Sequence, residues 1–537
     1  MIPGQDRPGP AMLLISLLAL LTGVFFRLYL FCGQILVDDE WHAVHKILVC
    51  GYREIFTDFG MADHCIPLSL FYEFLLNNLW ISELTMRLPS MAAGFLALLV
   101  VPLMMARPLG AKAALVTASL LSVSPLHIFY SRLARPYAIS MLLSFIAVMA
   151  FYYWWSGKGR AWLGIYTGAG VLSVWFLLPS APFVGAPFIF AILDGISRRE
   201  TGEAFRRLLP PGILVSLGLM TVLLPPFLSK PEALLEKAGR ESVTLQSLSG
   251  SLELFSGTRH WWLIVLLVVL AGTGFRALFR KHRLFALYSL SVVILQLAGF
   301  LAAGPAGSSW SILLNRYTIA VLPFLLAWIA VFLTASLPWK KTSFTSNYSF
   351  GLLVVLLLFL GPFREIYFFS NNLTNHPLYQ ISYRYEVLRE MTKPDTMSGF
   401  YEDLASHKPG QLTVLEAPWQ YHDNIYGYYQ WLHRQHMLIG FVQDVDWKFQ
   451  PGEVPAGDRR FRFRNSIHVS DTETIEDRGV DLVIFHLQLR QERPSELPFY
   501  EVDLAPWVEM YGERYGEPVY EDEFLVVFRV SREGVKR

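Results

Sequence analysis

The sequence predicts a polytopic α-helical membrane protein of about eleven transmembrane helices with a C-terminal soluble α/β domain, and three observations predict it. The chain is poor in charge: 17% of its 537 residues are Asp, Glu, Lys or Arg, against 53% hydrophobic and 15% aromatic. A soluble globular chain carries about 25% charged residues, so lipid is the solvent for much of this one. Long apolar runs recur up to Phe369 and then stop. Finally, short basic segments alternate with longer, less basic ones between those runs.

The apolar runs lie near 11–31, 88–106, 112–130, 137–155, 161–178, 181–195, 211–228, 261–275, 284–303, 317–337 and 349–369. Each approaches the roughly 20 residues that a helix needs to cross the hydrocarbon core. The first has the position and hydrophobicity of a signal peptide. Its end, Tyr29-Leu30-Phe31-Cys32, lacks the small residues of a cleavage site, and Phe31 does not suit a lipoprotein cysteine. It is read as a retained span. Orientation follows from Arg107–Lys112, Lys158–Arg160, Arg198–Arg207, Arg276–Arg283 and Lys340–Lys341. Placing these short basic loops in the cytoplasm puts 32–86, 229–260, 304–316 and everything after about 370 on the other face. An odd number of spans agrees with that charge distribution. The expected location is a cell inner (plasma) membrane, multi-pass, with the C-terminal domain extracytoplasmic.

Residues 1–370 form the expected membrane domain and 371–537 the expected α/β domain. In the latter, Leu412–Leu415, Met437–Phe441, Asp481–Phe485 and Phe524–Phe528 are short apolar runs rich in β-branched and aromatic residues, which read as buried strands. The stretch Tyr421–His436 reads as helical. Its Tyr421, His422, Tyr428, Tyr429, Trp431, His433 and His436 are either ordinary packing aromatics or a surface for a sugar or metal. The histidine spacing is not a zinc pattern. The net charge of +1 says nothing about nucleic acid by itself, and there is no long basic stretch, low-complexity tract or solenoid repeat; no nucleic-acid partner is expected. Cys32, Cys50 and Cys65 all fall in or beside the first outer loop. An oxidising compartment would permit a Cys50–Cys65 bridge, while the odd total also fits unpaired core thiols.

Ionisable groups beside a membrane are costly and mark chemistry or pairing. Asp38-Asp39-Glu40 follows the first span. Adjacent carboxylates raise one another's pKa, which suits a general base; the same triplet also reads as a solvated acidic helix start. Asp63-His64 follows in the same loop, ahead of Leu68–Leu79, which is too short and interrupted for a span and reads as an interfacial amphipathic helix. The turn Tyr130-Ser131-Arg132-Leu133-Ala134-Arg135-Pro136-Tyr137 puts two arginines on the face that positive charge avoids, and Arg316-Tyr317 begins a later span from that face. Guanidinium forks bind phosphate oxygens in pairs; snorkelling or a salt bridge to the acidic triplet is the other reading.

These segments, in this order, resemble the GT-C glycosyltransferases, in particular the group of protein O-mannosyltransferases and aminoarabinose transferases (glycosyltransferase family 39-like, bacterial). Asp39-Glu40 is similar to the Asp-Glu pair of the family's first outer loop. Asp63-His64-Cys65-Ile66-Pro67-Leu68 resembles its Asp-x-His-Pro-Pro-Leu element, with Cys65-Ile66 as a departure. Arg87-Leu88-Pro89-Ser90 matches the start of its next span, Arg135-Pro136-Tyr137 its Ala-Arg-Pro-Tyr turn, and Asn315-Arg316-Tyr317 its late Arg-Tyr. Arg132 stands where relatives often have another polar residue. The likeness covers roughly the first 330 residues.

The resemblance implies transfer of a hexosyl or pentosyl group from a polyprenyl-phosphate sugar donor to a lipid, glycan or protein acceptor outside the cytoplasm. Asp39 would act as base with Glu40 beside it, Arg135, Arg132 and Arg316 would bind the donor phosphate, and Asp63, His64 and Tyr137 would position donor or acceptor. No cofactor is required and no metal ligands are assigned, though the resemblance does not exclude a divalent metal. The alternative is a transporter or flippase of lipid-linked sugars, which would carry ionisable residues in mid-span and internal hydropathy symmetry. Here the spans are mostly free of charge apart from Arg27.

Overall fold

The computed structural model describes residues 8–29, 31–33, 36, 38–59, 65–232, 242–258, 260–305, 308, 311–336, 343–360, 397–418, 429–430, 432–442, 460–463, 465–487 and 503–530. The chain divides into two compact units: Met1–Tyr29, Phe56–Leu68 and Arg87–Arg364 form one, and Leu30–Ile55, Ser69–Met86 and Glu365–Arg537 the other. Most of the first outer loop, which the sequence reading grouped with the membrane domain, is thus gathered with the soluble domain.

The first unit is a helical bundle. Among the described residues eight helices are long and apolar enough to cross a membrane, or up to nine if the bent pair Ala111–Val123 and Pro125–Ser131 counts as one span. Ala161–Phe176 and Asn347–Leu360 are shorter apolar helices, and each run picked out in the sequence falls on one of these elements as far as it is described, residues 361–369 of the last run lying outside the described residues. The bent pair turns through 64° at Ser124-Pro125, because proline lacks the N–H that would continue the helix and forces the residue before it into extended backbone. Outward-facing side chains such as Leu99, Leu103, Leu209, Leu217 and Val268 are exposed apolar groups, the surface that a helix presents to hydrocarbon. Inside, helices meet at glycine. A Cβ on Gly274 would sit 1.8 Å from the Trp328 carbonyl oxygen, and one on Gly23 2.3 Å from that of Ser122. Backbones that close need small residues.

Arg27, the one charge expected in mid-span, is fully buried and occupied. It donates from Nη1 to the Gly23 and Ser122 carbonyls at 2.8 and 2.9 Å and from Nη2 to His127 Nδ1 at 2.7 Å. It ties the first span to the bent pair.

Among the described residues of the second unit, six strands form one sheet of order β3-β2-β1-β4-β6-β5. They are β1 Thr413–Ala417, β2 His436–Phe441, β3 Ser466–His468, β4 Leu482–His486, β5 Tyr520–Glu521 and β6 Leu525–Arg529. The first four are parallel, with Val414 opposite both Met437 and Leu482, and β6 and β5 are antiparallel. All four apolar runs read as strands are strands. His436 is not the end of a helix, as the sequence reading had it. It opens β2, paired with Thr413, because the apolar run that follows it is buried in the middle of the sheet. Of the rest of that stretch, residues 429–430 and 432–433 are helical; Tyr421, His422, Tyr428 and Trp431 lie outside the described residues. The Leu68–Leu79 stretch is the helix Ile66–Asn78; Ser69 and Tyr72 are fully buried, and the Tyr72 hydroxyl donates to the Met86 carbonyl at 3.0 Å. All three cysteines are free thiols.

Candidate functional site

The site is built around a buried turn. The helix Pro125–Ser131 ends at Arg132, and residues 131–137 are buried. The long helix Glu83–Leu109 packs on this turn so closely that a Cβ on Gly94 would lie 2.2 Å from Ser131 Oγ. Four residues earlier, Ser90 Oγ donates to the Arg135 carbonyl at 2.8 Å. The Arg87–Ser90 motif therefore holds the Arg135-Pro136-Tyr137 motif in place. Two segments that the sequence could only set side by side are joined here by a hydrogen bond.

Tyr137 opens the helix Tyr137–Trp155 and is buried. Its ring meets Tyr130 edge-on at 4.9 Å. The Arg135 guanidinium lies 5.8 Å from its centroid and that of Arg316 lies 5.6 Å away. Arg316 also lies 5.2 Å from the Tyr317 ring. The two arginines are only 4% and 8% exposed, which takes them out of the class of snorkelling surface charges. Two guanidinium groups are gathered around one aromatic ring in a largely desolvated setting, where the ring's negative face favours them and their forks suit phosphate oxygens.

Arg132 reaches the first span: its Nη1 donates to the Phe26 carbonyl at 2.7 Å, near the end of that helix. That carbonyl belongs to the last turn of a helix, where the backbone has no helical donor left. Glu40 is fully buried in the first turn of the helix Asp38–Val49, within the second unit. Asp39 belongs to the same turn, its side chain lying outside the described residues, as do Asp63 and His64 entirely. Their neighbour Cys65 is buried. Burial pushes its thiol up to about 12, against the opposing pull of the Arg135 charge. The element that resembles Asp-x-His-Pro-Pro-Leu thus ends within electrostatic reach of Arg135.

Sequence reasoning missed the support of Arg316. Ser251, on the helix Leu245–Ser256, donates from Oγ to Asn315 Oδ1, and the Asn315 amide donates back to the Ser251 carbonyl at 3.3 Å. Gln296 donates to the Tyr317 carbonyl at 2.8 Å. A signal for the Leu245–Ser256 helix was present in Thr244-x-x-Ser247, whose side chains and backbones cap one another reciprocally at 3.0 Å.

A second polar cluster lies in the sheet of the soluble domain, where β1 and β4 run side by side. Glu416 Oε2 accepts from the Tyr401 hydroxyl at 2.8 Å and from His486 Nε2 at 2.6 Å, and His433 Nε2 lies 3.8 Å from Oε1. Tyr401 and Tyr429 stack in parallel at 4.1 Å. Among the described residues no group of three or more His, Cys, Asp or Glu side chains is placed to hold a metal ion.

No family model matches the chain, and no curated protein matches it in sequence. Among solved structures it is similar to ArnT from Cupriavidus metallidurans. The likeness covers 96% of this chain and 97% of that one at 13% identity and a TM-score of 0.43 in the apo state. For the ArnT structure bound to undecaprenyl phosphate it covers 97% and 99%, at 13% identity and a TM-score of 0.44. It is also similar to the oligosaccharyltransferase of Archaeoglobus fulgidus in its complex with Zn and sulfate, over 88% of this chain and 68% of that one, at 14% identity and a TM-score of 0.42. At such identities no activity passes from them to this chain.

Proposed function

We propose that the chain is a membrane glycosyltransferase that moves a sugar from a polyprenyl-phosphate donor to an acceptor on the extracytoplasmic face. The observation that supports this reading best is the gathering of Arg135 and Arg316 around Tyr137. Two buried guanidinium groups suit the phosphate that such a donor leaves behind, because charge that develops on a leaving group is stabilised most by fixed donors in a water-poor site. In this reading Asp39 takes the proton from the acceptor hydroxyl, whose oxygen attacks the anomeric carbon. The bond from that carbon to the phosphate oxygen breaks in the same displacement, and its electron pair leaves with the polyprenyl phosphate. Glu40, Asp63 and His64 position the acceptor and the base. The arginines supply the leaving-group charge balance, and no cofactor is assigned. The distribution of basic loops supports an extracytoplasmic acceptor and an inner-membrane location in this reading.

Undecaprenyl phosphate, which the similar ArnT binds, is the probe for a direct test. The purified full chain in detergent should bind it saturably, and binding should be lost in the Arg135→Ala/Arg316→Ala double variant. Mass spectrometry of envelope glycans and glycolipids from a strain lacking the gene should show one sugar missing from one class of molecule. An unchanged envelope together with absent binding would sink the proposal.

A further inference from the structure

We infer that residues 460–463 and Asn465 of the soluble domain form a clasp that positions the acidic helix Asp38–Val49, with Asn465 as its positioning residue. The role in transfer rests on the function proposed above; the mechanical role does not.

Asn465 bonds to three separate segments of the chain. Its backbone N–H donates to Glu83 Oε1 at 2.8 Å, its side-chain Nδ2 donates to the Cys32 carbonyl at 3.0 Å, and its own carbonyl accepts from the Ile439 N–H at 2.9 Å. Cys32 and Glu83 stand near the two ends of the first outer loop. One residue of the soluble domain therefore pins the chain as it leaves the first span and again as it enters the next. The adjoining residues add to the hold. Ile81 donates its N–H to the Arg460 carbonyl and accepts from the Arg462 N–H, both at 2.8 Å, as a parallel bridge opposite Phe461. The Arg462 guanidinium lies over the Trp80 ring at 4.6 Å. All of these residues belong to the second unit.

Position and burial give the contact its consequence. Ile81 is fully buried, and Glu83 and Asn465 nearly so, so these hydrogen bonds are shielded from water and costly to leave unmade. Asn465 directly precedes β3 and bonds to β2, which makes the clasp an extension of the sheet. Fixing both ends of a loop lowers the conformational freedom of the chain between them, and most directly that of residues close to a fixed end. The helix that carries Asp38, Asp39 and Glu40 begins shortly after Cys32, so its start is set from a rigid element, as a catalytic group requires.

Hydrogen exchange on the purified full chain in detergent tests this, with undecaprenyl phosphate affinity and the sugar product in cells as companion readings. In Asn465→Ala, exchange of peptides covering 38–49 should rise about tenfold, of the order expected for one lost buried hydrogen bond. Peptides of β1 and β4 should keep their wild-type protection. Glu83→Gln, which keeps an acceptor for the Asn465 N–H, should exchange like wild type, while Glu83→Ala should resemble Asn465→Ala. Undecaprenyl phosphate affinity should not move, and product per molecule of protein should fall. Unchanged exchange at 38–49 would overturn the clasp. So would loss of protection in β1 and β4 together with it, because Asn465 would then be supporting the domain fold. Normal product in Asn465→Ala, in cells where Asp39→Asn abolishes product, would overturn the positioning role. If Asp39→Asn makes product too, the transfer reading fails while exchange still decides the clasp.

Discussion

The Arg316 guanidinium lies 5.6 Å from the centre of the Tyr137 ring, and Arg135 approaches the same ring to 5.8 Å. The ring is the common reference of two cations brought from distant parts of the chain. Each arginine truncated to alanine should weaken undecaprenyl phosphate binding roughly 10- to 100-fold, the size of a lost charge-assisted hydrogen bond. Arg135→Lys should recover only part of this, because lysine keeps the charge and loses the fork. Arg132→Ala should cost less affinity than Arg135→Ala, since one nitrogen of that guanidinium is held by the Phe26 carbonyl. Calorimetric or fluorescence titration in detergent checks all three. Equal losses at Arg132 and Arg135 would contradict the division of roles.

Asp39 carries the proposed proton transfer. Asp39→Asn should cut product formation by about 10² or more, in line with loss of a general base, while undecaprenyl phosphate affinity stays at its wild-type value. Product measured per molecule of membrane-inserted protein decides it. Product at the wild-type rate would remove Asp39 from the mechanism.

Legibility of the fold followed the strength of the physical constraint. The spans were readable because hydrocarbon fixes both the length and the polarity of whatever crosses it. The four main strands were readable because each is a short β-branched and aromatic run. Pro125 marked a bend inside what read as a single span between 112 and 130. Arg135 and Arg316 stood out as positive charges on the unfavoured face. Arg132 stood out for the same reason, and its bond to the Phe26 carbonyl was not readable, because the direction of a side chain in a tight turn is not written in the residue type. The hold of Asn465 on Glu83 and Cys32 spans 382 and 433 residues and uses ordinary polar groups. No periodicity or motif announces such a contact.

His433 makes the soluble domain sensitive to acid. Burial lowers its pKa from 6.5 to about 4, with the Glu416 carboxylate pulling in the opposite direction. Its Nδ1 accepts the Gln435 N–H at 2.9 Å, which fixes the neutral tautomer. The unfolded chain takes up a proton as pH falls through about 6.5 and the folded domain does not until about 4. The contribution is therefore fully present above 6.5 and is lost across that window, by about 3 kcal/mol at its lower end. The half-buried His436 and His468 are lowered too and act in the same direction. Limited proteolysis of the full chain should show the soluble domain becoming susceptible between pH 6.5 and 4. His433→Asn, which keeps an acceptor for Gln435, should flatten that dependence; an identical pH profile in the variant would assign the sensitivity elsewhere.

Gly274 sets the distance between two helices of the bundle, and its replacement should be felt throughout the membrane unit. An added Cβ would meet the Trp328 carbonyl oxygen at 1.8 Å and the Phe332 backbone nitrogen at 3.0 Å. Backbone atoms cannot swing aside as a side chain can, so the helices Trp261–Lys281 and Leu322–Val331 must separate. Trp328 would move with them, and with it the hydrogen bond from its indole N–H to Ser289 Oγ at 3.2 Å. Forcing a methyl group into such a contact costs about 1–3 kcal/mol. Gly274→Ala should lower the thermal aggregation temperature of the detergent-solubilised chain. Gly272→Ala, two residues away with nothing within 4 Å of its added Cβ, should raise it slightly, by the roughly 1 kcal/mol that alanine gains over glycine inside a helix. The pair of variants separates close backbone packing from the general preference for alanine over glycine in a helix, because that preference alone would stabilise both.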